Sequence, residues 1–260
     1  MPAAGSQHRT FVVGVGYTGS RLLKELAISV GVSRGDQPDF GPLYDVVYTA
    51  PPVDDYLENT LARMDPPPKR LVYISTTGVY GNCGDRLVNE TATLAPETDR
   101  ARKRADAEDG LHGWSLQKAV DLVVLRVPGI YGPERLGIER IESGTPVLAE
   151  ADANPGNRIH VDDLVRCCVA ALSPDVPAGI YNVGDGDTRS SSWFAYEVAR
   201  QCGLDAPPTV TREQAEETFS AERLSFLAES RRLDLRKMRD VLGITPKYRD
   251  ASAGIKASLR

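Results

Sequence analysis

No apolar run in this chain of 260 residues approaches the ~18 that a membrane-crossing helix needs. Met1 to Arg9 is too short and too polar for a secretory leader. Cysteine is scarce. The four present (Cys83, Cys167, Cys168 and Cys202) include no C-x-x-C pair, which argues against a metal site or a disulfide and for reduced, buried thiols. Positive charge is not in excess either: 31 Lys and Arg face 36 Asp and Glu, for a net charge of −5, with no polybasic run. That balance argues against nucleic-acid binding. Internal repeats and long low-complexity stretches are absent too. These absences describe a soluble, cytoplasmic protein with no membrane or nucleic-acid partner. A hydrophobic content of 41% is enough for one sizeable core with a small appendage.

The most informative feature present is Gly14-Val15-Gly16-Tyr17-Thr18-Gly19. Thr10 to Val13 before it reads as a buried parallel strand, and Ser20 to Val30 after it as a helix with Leu22, Leu23 and Leu26 on one face. Strand, glycine turn and helix form the setting in which G-x-G-x-x-G predicts dinucleotide binding. Gly14 permits the tight turn, Gly16 lets backbone approach a pyrophosphate, and Gly19 lets helix and strand pack closely. The amides of the first helical turn, Tyr17 and Thr18 included, then face the anion. Further strands are expected at 30–33, 45–49, 70–74, 122–126 and 180–183. Helices are expected at 55–64, 98–111, 162–172, 191–202, 212–219 and 234–242. The alternation predicts an α/β fold with a doubly wound parallel sheet, its crossovers right-handed. Residues 1–132 form the dinucleotide-binding part. Residues 133–260 form a small, mainly helical substrate lobe, with 160–184 returning to the sheet.

Only about ten residues separate the second strand from the third, too few for a helix and a strand between them. One helix–strand unit of the usual Rossmann half is therefore expected to be missing, leaving the adenosine side open. Roughly 20 positions after the first glycine, where an acidic residue selects NAD and an arginine suits a 2′-phosphate, the chain has Ser33 and Arg34. A guanidinium there favours NADP(H). Asp36, two residues on, is the competing candidate for NAD. Ala50 and Pro51 end one strand on the cofactor side, and the same logic brings Val127, Pro128 and Gly129 near the nicotinamide.

Ser75-Thr76-Thr77-Gly78-Val79-Tyr80-Gly81 resembles the extended short-chain dehydrogenases, the NAD-dependent epimerase/dehydratase family. Residues 125–133 (LRVPGIYGP), 157–164 (NRIHVDDL) and 180–184 (IYNVG) keep that family's order. Ala50-Pro51-Pro52 points to its atypical, shortened members. The resemblance implies a Ser/Thr–Tyr–Lys trio beside the nicotinamide, with Ser75 among the cofactor contacts and a small-molecule substrate. A homodimer is common in the family. Thr76 matches the hydroxyl position. Counting back from Glu108 sets Arg104 at the lysine position and Arg100 at the tyrosine position, so the Tyr-x-x-x-Lys pair is missing. Arginine stays protonated and cannot trade a proton as a phenol does. It can stabilise a developing oxyanion or grip an acidic substrate, which makes Thr76, Arg100 and Arg104 the catalytic candidates. Arg100, Arg104 and Glu108 share a helix face, where Arg104 can pair with Glu108. Tyr80, Tyr131 and His160 are the remaining proton-donor candidates, with His160 also suited to capping the next helix. Trp114 and Trp193 read as packing residues, Trp193 also as a pocket wall. The implied activity is that of an NADP(H)-dependent, epimerase/dehydratase-like oxidoreductase working on a carbonyl or hydroxyl carbon. The rival reading is a dinucleotide-binding sensor or partner module without turnover.

Overall fold

The computed structural model describes residues 8–259; residues 1–7 of the polar opening segment lie outside them. Six strands form the central sheet: β1 (Arg9–Val13), β2 (Ser29–Val32), β3 (Tyr44–Tyr48), β4 (Arg70–Thr76), β5 (Asp121–Val127) and β6 (Gly179–Asn182). Their order is β2-β1-β3-β4-β5-β6, and every neighbouring pair is parallel. Parallel strands need crossovers that cover both faces, so such strands are apolar throughout rather than alternating. Tyr44–Tyr48 is accordingly buried at every position.

The period of two divides these side chains between two layers. Val12, Val47, Val72, Ile74, Val123 and Leu125 pack with Leu22 of α1 (Tyr17–Glu25) and with α4 (Val161–Ala171). Phe11, Val13, Val46, Tyr48, Leu71 and Tyr73 pack with Leu57 of α2 (Tyr56–Ala62) and with Ala107 and Leu111 of α3 (Asp99–Lys118). This is the doubly wound architecture. β2 is an edge strand, and no helix or strand intervenes between it and β3, so the missing unit is the one the short spacing indicated. The order reverses between β1 and β3, and the loops leaving these strands diverge there to open a crevice.

Three expectations need correction. The first helix ends at Glu25, not Val30, because Leu26 is already extended and Ser29–Val32 pairs with β1. Sheet pairing outweighs the leucine spacing. The helix expected to end at Leu111 runs on to Lys118 through Gly110 and Gly113 and stops at a left-handed Ala119. The lobe also contains helices at Ile138–Glu142, Ala221–Ala228 and Ala251–Ser258 that the apolar pattern did not reveal. The last two are signalled by their caps: Ser220 and Asp250 accept the N–H of Arg223 and Ser252.

A buried ion pair ties α3 to the sheet. Glu108 meets Arg126 of β5 at 2.7 Å, their side chains 7% and 3% exposed, and the Ser75 hydroxyl donates to the same carboxylate. Glu108 thus pairs across to β5 and not with Arg104. Removing one member of such a pair strands the other's charge. Glu108→Ala is expected to lower the free energy of unfolding by about 3–5 kcal/mol in urea titration. A loss below about 1 kcal/mol, the range of exposed pairs, would show that this pair does not hold the layers.

Candidate functional site

At the crevice, the three glycines have different surroundings. Gly14 has φ +99°, and a Cβ there would lie 2.7 Å from the Ala50 nitrogen and 2.8 Å from Thr49 Oγ1. Thr49 Oγ1 donates to the Gly14 carbonyl at 2.6 Å, bracing the turn from the end of β3. A Cβ on Gly19 would fall inside the radius of the Gly14 carbonyl oxygen, so helix and strand approach as only glycine allows. A Cβ on Gly16 meets nothing within 4 Å. Gly16 is the extended N-cap of α1 and provides no side-chain cap, so no cap side chain accepts from the first-turn N–H groups. Thr18 is buried beneath the turn. Tyr17 donates its hydroxyl to the Pro133 carbonyl at 2.8 Å. Arg21 and Arg135 lie 3.9 and 4.1 Å from its ring centroid. Tyr17 therefore pins the glycine turn to the segment beyond β5.

At the open edge, the Ser33 N–H donates to Asp36 Oδ2 at 2.7 Å, so this carboxylate closes its own turn. Arg34 is exposed and lies 5.8 Å over the Tyr56 ring. A recess of about 180 Å³ beside it is lined by Gly35, Asp36, Tyr56, Asn59 and Arg63, among others. Ala50 is buried and Pro51 exposed at the end of β3.

A larger cleft, about 650 Å³, opens between the ends of β4 and β5 and the lobe. Thr76, Thr77, Gly78, Arg100, Pro128 and Gly129 line it from the sheet side. The Thr76 hydroxyl oxygen accepts the Gly78 N–H at 3.2 Å, which leaves its proton free to donate. Ser75 points the other way, as strand alternation requires, and is buried against Glu108. Val127 is likewise buried in the core. Arg100 sits 3.5 Å from Glu229 and stacks 3.2 Å over the Phe226 ring. Burial lowers its pKa, against the pull of Glu229 and Glu222. Arg104 lies outside the cleft lining, where it donates to the Ile74 carbonyl beside the Tyr73 hydroxyl.

The other proton-donor candidates lie away from the cleft. Tyr80 donates to Asn182 Oδ1 at 2.6 Å, and burial raises its pKa. Tyr131 is buried edge-on to His160 at 5.2 Å. His160 accepts the Asp162 N–H at 3.1 Å to cap α4, and burial lowers its pKa. Trp193 is not part of the lining and stacks under Arg189 at 3.5 Å. Among the described residues the cleft contains no tyrosine, histidine, lysine, cysteine or aspartate. Cys83, Cys167 and Cys168 are buried free thiols, while Cys202 is only half-buried.

Lobe residues that no local motif marked complete the walls: Arg135, Arg140, Arg223, Glu229 and Arg231. Arg231 donates to Thr77 Oγ1 at 3.2 Å and pairs with Glu229 at 2.5 Å. Behind the wall, Arg158 donates to the carbonyls of Arg189 and Ser190 at 2.6 and 3.0 Å. Burial pushes the Asp185 carboxyl beside it up to about 8. Burial acts the same way on Asp187, but bonds from Arg189 and the Ala251 N–H prevail and hold it at about 2.

The model of the NAD-dependent epimerase/dehydratase family matches residues 57–184. That stretch, just under half of the chain, is similar to the family. The fold extends the likeness on both sides. A functionally unknown conserved protein from Silicibacter pomeroyi superposes with TM-score 0.84 at 24% identity, covering 96% of this chain and 98% of that one. The human epimerase family protein SDR39U1, solved with NADPH, gives TM-score 0.76 at 17% identity over 96% and 98%. MoeE5, solved with UDP-glucose and NAD, gives 0.74 at 20% over 96% and 97%. Among curated proteins, Protein YeeZ of Escherichia coli K12 is 26% identical over 155 residues, or 60% of this chain. The chain spans about half of that relative's length, 53%.

Gly19→Ala is expected to destabilise the fold by about 3 kcal/mol or more, since overpacking against backbone cannot relax by rotamer change. Gly16→Ala should cost less than about 1 kcal/mol, the scale of an N-cap change. Thermal melts of the two variants check this. Equal losses would contradict the assignment of different roles to the two glycines.

Proposed function

We propose that this protein is an NADP(H)-binding, epimerase/dehydratase-like oxidoreductase acting on a carbonyl or hydroxyl carbon of a small substrate. Residues 1–132 would hold the dinucleotide and 133–260 would close over the substrate, with 160–184 rejoining the sheet. One observation carries the reading: the space at Gly16 and the cleft at Thr76 open at the same carboxyl edge of the sheet. The dinucleotides in SDR39U1 and MoeE5 support it.

The residues fit such a group. The pyrophosphate would meet the N–H groups from Gly16 to Gly19, in space that any side chain at 16 would fill. Ala50, Pro51, Pro128 and Gly129 would border the rest. NADP(H) is favoured over NAD because Asp36 is used within its own turn, while Arg34 has no carboxylate partner among the described residues. When bound, the dinucleotide supplies hydride transfer. Thr76 would donate its free proton to the reacting oxygen. Arg100 would stabilise negative charge developing on that oxygen without exchanging a proton. Arg104, held on the Ile74 carbonyl, would keep the end of β4 in place.

A second reading, a dinucleotide-binding module without turnover, is favoured by the lack of a phenol, imidazole or ammonium in the cleft lining. Incubation with NADPH and a panel of aldehydes and ketones, following binding and absorbance together, separates the two. NADPH consumption supports the enzyme; saturable binding without consumption across the panel supports the module. Arg34→Ala is expected to weaken NADPH at least about tenfold while leaving NADH nearly unchanged, as loss of a charged hydrogen bond to phosphate requires. Equal effects on both nucleotides would remove the NADP(H) assignment.

A further inference from the structure

The chain as a whole is acidic, with net charge −5, yet the cleft beside Thr76 is lined by five arginines and a single carboxylate. This concentration of positive charge opposes the composition. The carboxylate, Glu229, serves Arg231 at 2.5 Å and Arg100 at 3.5 Å. Arg135, Arg140 and Arg223 have no carboxylate partner among the described residues. Arg135 has its face on Tyr17. Arg140, on the short helix Ile138–Glu142, is an exposed residue without a protein acceptor among the described residues. Arg223 is better fixed. The Phe219 ring lies 3.5 Å beneath its guanidinium, and one nitrogen donates to the Pro146 carbonyl. Stacking covers the face of a guanidinium and leaves its in-plane donors available. Burial, with the Arg140 charge nearby, pulls the Arg223 pKa down; an anion between the two would relieve both effects. The remaining walls include Leu136, Ile141, Leu148, Phe194 and Phe226, which suit an apolar body.

We infer that the substrate is a small molecule with an apolar body and an acid group, carboxylate or phosphate, held by Arg140 and Arg223. This rests on the reading of the cleft as the substrate site. Two like charges on one wall, one of them prefixed by stacking, form a preorganised acid receptor; a neutral substrate would leave both without a counter-charge.

The test is calorimetry on the full chain, without dinucleotide and at low salt, with phenylacetate, phenyl phosphate, 2-phenylethanol and UDP as probes. At least one of the two small acids is expected to bind at least about tenfold more tightly than the alcohol, as charge-assisted hydrogen bonds allow. Which acid prevails distinguishes carboxylate from phosphate. The double variant Arg140→Gln, Arg223→Gln should lose about tenfold or more of that affinity, with Arg223→Lys retaining part of it. Should the double variant fail to fold by circular dichroism, Arg140→Gln alone, at an exposed position, gives the same comparison. The inference is overturned if the alcohol binds as well as the acids, if the folded variants bind the acids unchanged, or if UDP binds and neither small acid does. NADPH titration of the same samples keeps the outcomes separate: intact NADPH binding with no acid preference defeats the substrate class alone.

Discussion

Everything at the functional edge of this protein depends on how closely α1 approaches β1. Gly19 lies against the Gly14 carbonyl at a separation that no side chain permits. That contact fixes where the helix begins and aims its free N–H groups at the crevice where the strand order reverses. Thr49 at the end of β3 and Tyr17 through Pro133 hold the turn from its two sides. The glycine at 16 is the one of the three that faces open space.

The second constraint is electrostatic. Where the family resemblance implies a phenol and an ammonium, α3 carries Arg100 and Arg104, and they go to different places. Arg104 is drawn to the Ile74 carbonyl, while Arg100 turns into the cleft toward Glu229 and Phe226. The Glu108–Arg126 pair below them keeps α3 in register with β4 and β5. The cleft therefore offers a hydroxyl and fixed positive charge. Both suit stabilising a charge that develops on oxygen, and neither carries a proton the way a tyrosine does.

Local pattern exposed much of this arrangement in the sequence. The strand–turn–helix at residues 10–25 and the runs 70–76 and 121–127 are apolar in ways that only a doubly covered sheet explains. The short spacing before Tyr44 announced the missing unit. The boundary at Leu26 was hidden because leucine spacing suits a helix, while pairing with β1 decides the matter. Ser75 and Thr76 are adjacent in sequence but face opposite sides of the sheet, and only the register of β4 tells which one enters the cleft. Arg135, Arg140, Arg223, Glu229 and Arg231 were invisible as a group. They come from separate segments of the lobe, and no periodicity joins residues that meet only through tertiary packing.

The central claim is that the first turn of α1 cradles a pyrophosphate. A crystal structure of the protein grown with NADPH tests it most directly. The account predicts density for the pyrophosphate against the Gly16–Gly19 amides, with the nicotinamide reaching the Thr76 side of the cleft. Saturating NADPH that leaves this turn empty, or that binds with its phosphates elsewhere, would contradict the account.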